Sequence, residues 1–183
     1  MIDQRRWYCL WVVVCALVLW SARPSLALVI SEIMYHPAED PLTQDETLEF
    51  IELYNERPVS EELGKWAFTN GIEYTFEPNT LLGPRQYLVI AYDPNAIKAT
   101  YGITNVVGPF TGRLDNDGER IDLSNASGGI VLTVRYNDTD PWPTSPDGTG
   151  HSLIFTKLSG APEEASSWSA STTIDGSPGK ADP

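Results

Sequence analysis

Short apolar runs, each closed by Gly, Pro, Asn or Asp, follow one another along most of the chain. Residues 28–35 read as a first strand ended by Pro37, and residues 47–54 as a second, with a polar loop containing Pro41 between them. A strand is expected around residues 66–68, a turn at Asn70-Gly71, and a strand over 72–76. Asn-Gly between two such runs signals a hairpin, because both residues accept positive φ and the resulting turn matches strand twist. Residues 87–92 are apolar almost throughout and suit a central strand buried on both faces. Only 95–101, after Asp93-Pro94, has the character of a short helix, with Gly102 placed to end it as a C-cap. Further strands are expected at 120–123, 130–136 and 152–158. Seven to nine strands at this spacing predict an all-β domain, a two-sheet sandwich, with a barrel as the alternative. From Ser166 onward the chain is small and polar apart from Trp168 and Ile174, and its end is expected to be extended or frayed.

The N-terminus departs from this pattern. Arg5 and Arg6 precede an uncharged, mostly apolar run from Trp7 through Ala22. As a helix it would be about 24 Å long, short of the roughly 30 Å hydrocarbon core of a bilayer. Ser25-Leu26-Ala27 places small side chains three and one residues before a cut at Leu28, the pattern signal peptidase requires. Residues 1–27 are therefore expected to be a helical signal peptide, 28–179 the folded domain and 180–183 a C-terminal tail. No stable membrane span is expected after cleavage, and the localisation implied is secreted, periplasmic or cell-envelope.

Both cysteines, Cys9 and Cys15, lie in the segment expected to be removed. The remainder then has no disulfide, thiolate metal site or cysteine nucleophile, so an apolar core must hold it together. The net charge of −13 becomes more negative on cleavage, which takes away Arg5, Arg6 and Arg23 but only Asp3 on the acidic side. The remaining Lys and Arg are scattered, so no basic stripe exists to displace counterions from a phosphate backbone, and nucleic acid is excluded as a partner. Anionic lipid surfaces are disfavoured for the same reason.

Several motifs follow one another in a definite order along the expected domain. They begin with Ser31-Glu-Ile-Met-Tyr-His-Pro37, Glu49-Phe-Ile-Glu-Leu-Tyr-Asn55, Leu63-Gly-Lys-Trp-Ala-Phe68 and Gly71-Ile-Glu-Tyr-Thr-Phe76. Tyr87-Leu-Val-Ile-Ala91, Asp93-Pro94, Gly108-Pro-Phe-Thr-Gly112 and Asp117-Gly-Glu119 continue the series. Pro141-Trp-Pro143, Asp147-Gly-Thr-Gly-His-Ser-Leu153, Trp168 and Gly176-Ser-Pro-Gly179 close it. Together they resemble the lamin-tail domain of nuclear lamins and exported bacterial proteins, a resemblance that implies an immunoglobulin-like β-sandwich and a non-catalytic structural or interaction module, contacting a protein or a cell-envelope component. The coiled-coil rod and basic nuclear-import signal of animal lamins are missing from this chain, so filament assembly and nuclear partners do not carry over.

The residues of these motifs read as scaffold. Phe50, Ile51, Leu53 and Tyr54 require a strand packed on both faces, with Glu49 and Glu52 finding an edge or a partner. Trp66 and Trp168 would fill the space between sheets. For chemistry, His36 and His151 are the only histidines, and neither lies in a recognisable catalytic motif. No enzyme activity and no cofactor is expected. Asp115, Asp117, Asp138 and Asp140 are candidate calcium ligands, although position 126 is Ala where an EF-hand loop would carry its bidentate Glu. Trp142, between Pro141 and Pro143, is the candidate ligand residue: it could stack on a sugar or seal an end of the sandwich. A calcium- or carbohydrate-binding module is thus the rival to an interaction module, with an accessory part of an extracellular hydrolase a third reading.

Overall fold

The computed structural model describes residues 28–38, 47–157 and 160–183. The expected signal peptide lies outside the described residues. Twelve strands are present among the described residues: β1 (Leu28–Met34), β2 (Phe50–Asn55), β3 (Glu61–Glu62), β4 (Ala67–Asn70), β5 (Tyr74–Thr75), β6 (Leu81–Leu82), β7 (Tyr87–Ala91), β8 (Val106–Val107), β9 (Arg120–Ser124), β10 (Ile130–Arg135), β11 (Leu153–Phe155) and β12 (Trp168–Ala170). One helix, α1 (Pro94–Tyr101), lies between β7 and β8. The excess over seven to nine strands comes from two-residue pairings such as β3 with β6, too short to leave an alternating signature.

Six strands form one sheet in the order β12-β11-β1-β2-β7-β8, and four form a second in the order β10-β9-β4-β5. All pairings are antiparallel except β7 with β8. Side chains alternate between the faces of a strand. Ile33, Ile51, Leu53, Ile90 and Leu153 of the large sheet accordingly meet Phe68, Ile121, Leu123 and Val134 of the small one in a single buried core. Met34, Phe50, Val89 and Ala91 point the other way and pack under Ile97 of α1. Buried on both faces, β1, β2 and β7 read as nearly continuous apolar runs for that reason.

The helix is explained at both ends. The Asp93 carboxylate accepts from the N–H groups of Asn95 and Ala96 at 2.8 and 3.1 Å, Pro94 occupies the first turn, and Gly102 ends it at φ +67°. The C-terminal segment differs from the frayed end expected. It contributes β12, pairs through β11 to β1, and then folds back over the outer face of the large sheet. Asp182, in the expected tail, accepts from the Thr172 N–H at 3.0 Å.

Candidate functional site

On the outer face of the large sheet, beyond the apolar patch covered by α1, Glu32 of β1 stands opposite Glu52 of β2 in the register. Each residue is 1% exposed. Directly opposite side chains on one sheet face have Cβ atoms about 4.5–5.5 Å apart, and like charges placed there repel. A register shift between Ile30 and Glu32 sets this pairing.

Burial of Glu32 is compensated by hydrogen bonds from the C-terminal half of the chain. Ser152 Oγ donates to Glu32 Oε1 at 2.5 Å and the Ser177 N–H donates to the same oxygen at 2.8 Å. Glu52 accepts from Ser31 Oγ at 2.7 Å and from the Gly179 N–H at 2.5 Å. Gly176 makes the close approach feasible: it sits at φ +73°, and a Cβ there would collide with Glu32 Oε1 and Ser152 Oγ. Burial pushes Glu32 up to about 7, the hydrogen bonds from Ser152 and Ser177 oppose it, and the charge of Asp182 adds to it. Glu52 is pushed up to about 8 by burial and then by the neighbouring Glu32, against the bonds from Gly179 and Ser31. Around the pair lies a groove of about 520 Å³ lined by Tyr54, Tyr87, Lys180 and Asp182 among others. The Tyr54 and Tyr87 rings stack at 4.5 Å between centroids.

Another buried carboxylate, Glu49, accepts from Arg113 Nη1 at 2.8 Å and from the Leu114 N–H at 3.0 Å. Arg113 also lies over the Tyr92 ring, 3.8 Å from its centroid. Glu49, Tyr92, Arg113 and Leu114 thus hold one corner of the sandwich together.

The candidate calcium ligands fall on adjoining loops. Asp115 Oδ1 accepts from the Asp117 N–H at 3.0 Å, and the Asp115 carbonyl accepts from the Gly118 N–H at 3.2 Å and from Tyr136 Oη at 2.8 Å. Asn137 Nδ2 donates to the Asp117 carbonyl at 3.0 Å, which brings the loop of Asp138 and Asp140 beside that of Asp115 and Asp117. Among the described residues no three His, Cys, Asp or Glu side chains are grouped so as to hold a metal ion. Trp142 is partly buried against the main core, its ring centroid 6.1 Å from that of Trp168. The two histidines serve different contacts: His36 Nδ1 is 2.6 Å from Asp147 Oδ1, and His151 Nδ1 is 2.9 Å from the Ser171 carbonyl.

Sequence reasoning left Glu52 with an unspecified partner and gave Glu32 no role. Their partners on the C-terminal side are mostly backbone N–H groups and serines, which carry no pattern a sequence could display.

A second feature concerns the edge of the small sheet. β10 is its outermost strand and pairs only with β9. It exposes Ile130 at 55% and Val131 at 40%. Edge strands are ordinarily blunted with charge, Pro or bulges. This one carries a single charged residue, Arg135, and a register shift at its start.

The sequence model of the Lamin Tail Domain matches residues 21–138, more than half of the chain. The chain belongs to the lamin tail domain family, whose members are non-enzymatic immunoglobulin-like domains of a protein-interaction type. None of the curated proteins compared with the chain matches it. The match ends at 138, so β11, β12 and the segment over Glu32 and Glu52 lie beyond it, although β11 pairs directly with β1.

Proposed function

We propose that the chain is an exported, non-catalytic module that attaches to a protein of the cell envelope or its surroundings through an exposed strand edge, that of β10. The observation that carries this reading is the six-residue outer strand with Ile130 and Val131 presented to solvent. An unpaired strand edge offers a row of N–H and C=O groups to an incoming strand, and flanking side chains supply selectivity. Export is supported by the pattern of residues 5–27, and the strongly acidic balance favours a partner that is neither nucleic acid nor an anionic lipid surface.

Ile130→Lys together with Val131→Glu tests this directly. The double variant should fold with an unchanged melting temperature yet lose the partner that co-purifies with the wild-type chain from the envelope fraction. Intact mass of the exported protein should begin at Leu28. Equal capture by wild type and variant, or retention of residues 1–27, would contradict the corresponding half of the proposal. A melting temperature that rises with calcium and falls with chelator would instead favour the calcium-binding reading, since a ligand of the native state stabilises it by mass action.

A further inference from the structure

The segment after β12 crosses the outer face of the large sheet and ends its crossing on two carboxylates that stand side by side. Ser177 meets Glu32 through its backbone N–H at 2.8 Å, and its hydroxyl also lies 3.4 Å from the other oxygen of that carboxylate. Gly179 meets Glu52 through its backbone N–H at 2.5 Å. Upstream of residue 176 the segment is tied by the Asp175 N–H, which donates to the Gly150 carbonyl at 2.6 Å, and by Tyr101 Oη, which donates to the Asp175 carbonyl at 2.5 Å, while Asp182 accepts from the Thr172 N–H. The segment therefore closes on a pair of like groups whose burial it completes.

We propose that residues 176–183 are a proton-controlled clasp, which stays closed while the Glu32–Glu52 pair holds a proton and loosens when both carboxylates are ionised. With one proton on the pair, a single negative charge accepts the N–H donors of Ser177 and Gly179. Loss of that proton leaves two buried anions opposite each other on one sheet face, where like charges repel and neither is hydrated. Water reaches both groups once the segment lifts.

The sign follows from the ordinary carboxylate value in the open state. Closure raises both groups above that value, so the closed form binds more protons than the open form. Closure is then favoured in full below about 4.5 and is lost as the pH rises through about 7 and 8. Other titratable groups face the pair: Asp182 and Lys180 from the segment, Tyr54 and Tyr87 from β2 and β7, and Tyr101 from α1. Asp182 adds negative charge and so acts in the same direction. Tyr87 and Tyr101 are pushed upward by burial, to about 12 in the case of Tyr87, and stay neutral across this range. His151 Nδ1 lies 2.9 Å from the Ser171 carbonyl, upstream of residues 176–183, and supplies the control position for the variants below.

Hydrogen exchange of the peptide spanning 171–183, in the full chain and corrected for the intrinsic rate, reads the clasp. Protection should fall at least tenfold between pH 6 and pH 9. In Glu32→Gln/Glu52→Gln it should change by less than twofold over that range, and in His151→Asn it should fall as in the wild type. Wild-type protection independent of pH, or an unchanged fall in the double Gln variant, would overturn the proposal. So would loss of the fall in His151→Asn. Carboxyl carbon NMR of the wild type is independent of any variant's folding: one of the two groups should titrate above pH 6, and both titrating below 5 would also overturn it.

Discussion

Glu32 and Glu52, residues of adjacent strands twenty positions apart in the chain, share one face of a sheet and one covering segment. Their environment has a consequence for the stability of the whole domain. Both groups are raised above the ordinary carboxylate value in the folded protein, so the folded chain binds protons that the unfolded chain releases. Their contribution is most favourable below about 4.5 and declines as pH rises toward 8. Glu119, also raised by burial, acts in the same direction. Thermal unfolding at pH 6 and pH 8.5 should give the lower Tm at the higher pH, by roughly 4 °C or more, a shift equivalent to about 1–2 kcal/mol. A Tm that is flat or rises over this interval would contradict the burial of an ionisable pair.

Arg113→Met removes the guanidinium from Glu49 while keeping much of the aliphatic stem. Breaking a fully buried ion pair from one side costs about 3–5 kcal/mol. Arg113 is 42% exposed, so water moderates the loss, while the Leu114 N–H still donates to Glu49. The expected cost is about 2 kcal/mol, measured as a lower urea midpoint with an unchanged slope.

Trp142→Ala distinguishes sealing from sugar stacking. Truncation of a buried Trp costs about 3–5 kcal/mol, and the partial burial of Trp142 lowers the expectation to roughly 2 kcal/mol. Denaturant unfolding should show that loss, and tryptophan fluorescence of the wild type should not respond to cell-wall or storage polysaccharides. A stable variant combined with a glycan-dependent fluorescence change would contradict the sealing role.

What the sequence revealed, and what it hid, follows from how each feature is encoded. The helix was legible because its stops are side-chain chemistry: the Asp93 carboxylate caps two N–H groups and Gly102 adopts positive φ. The central strands were legible because burial on both faces demands apolar residues at nearly every position. By contrast, β8 is two residues long and pairs in parallel, and a pair of valines carries no periodicity. The stretch from 171 onward read as loose because Ser, Thr, Gly and Pro dominate it. Its order comes from backbone donors satisfying Glu32 and Glu52, a relationship that exists only once the register of β1 against β2 is set.

The adjoining positions of Asp115, Asp117, Asp138 and Asp140 were hidden for a similar reason. Nothing in the spacing of the two loops announces that Asn137 will reach the Asp117 carbonyl. Trp142 showed its aromatic character but not its neighbour, because contact with Trp168 depends on β12 joining the large sheet beside β11.

Site-specific photocrosslinking most directly tests attachment through β10. A photoreactive residue at Val131, on the outer strand, should capture one discrete partner in the native envelope. The same residue at Val59 or Ile174, exposed elsewhere at 49% and 64%, should not. Equal capture from all three positions, or capture from Val59 and Ile174 alone, would contradict attachment through β10.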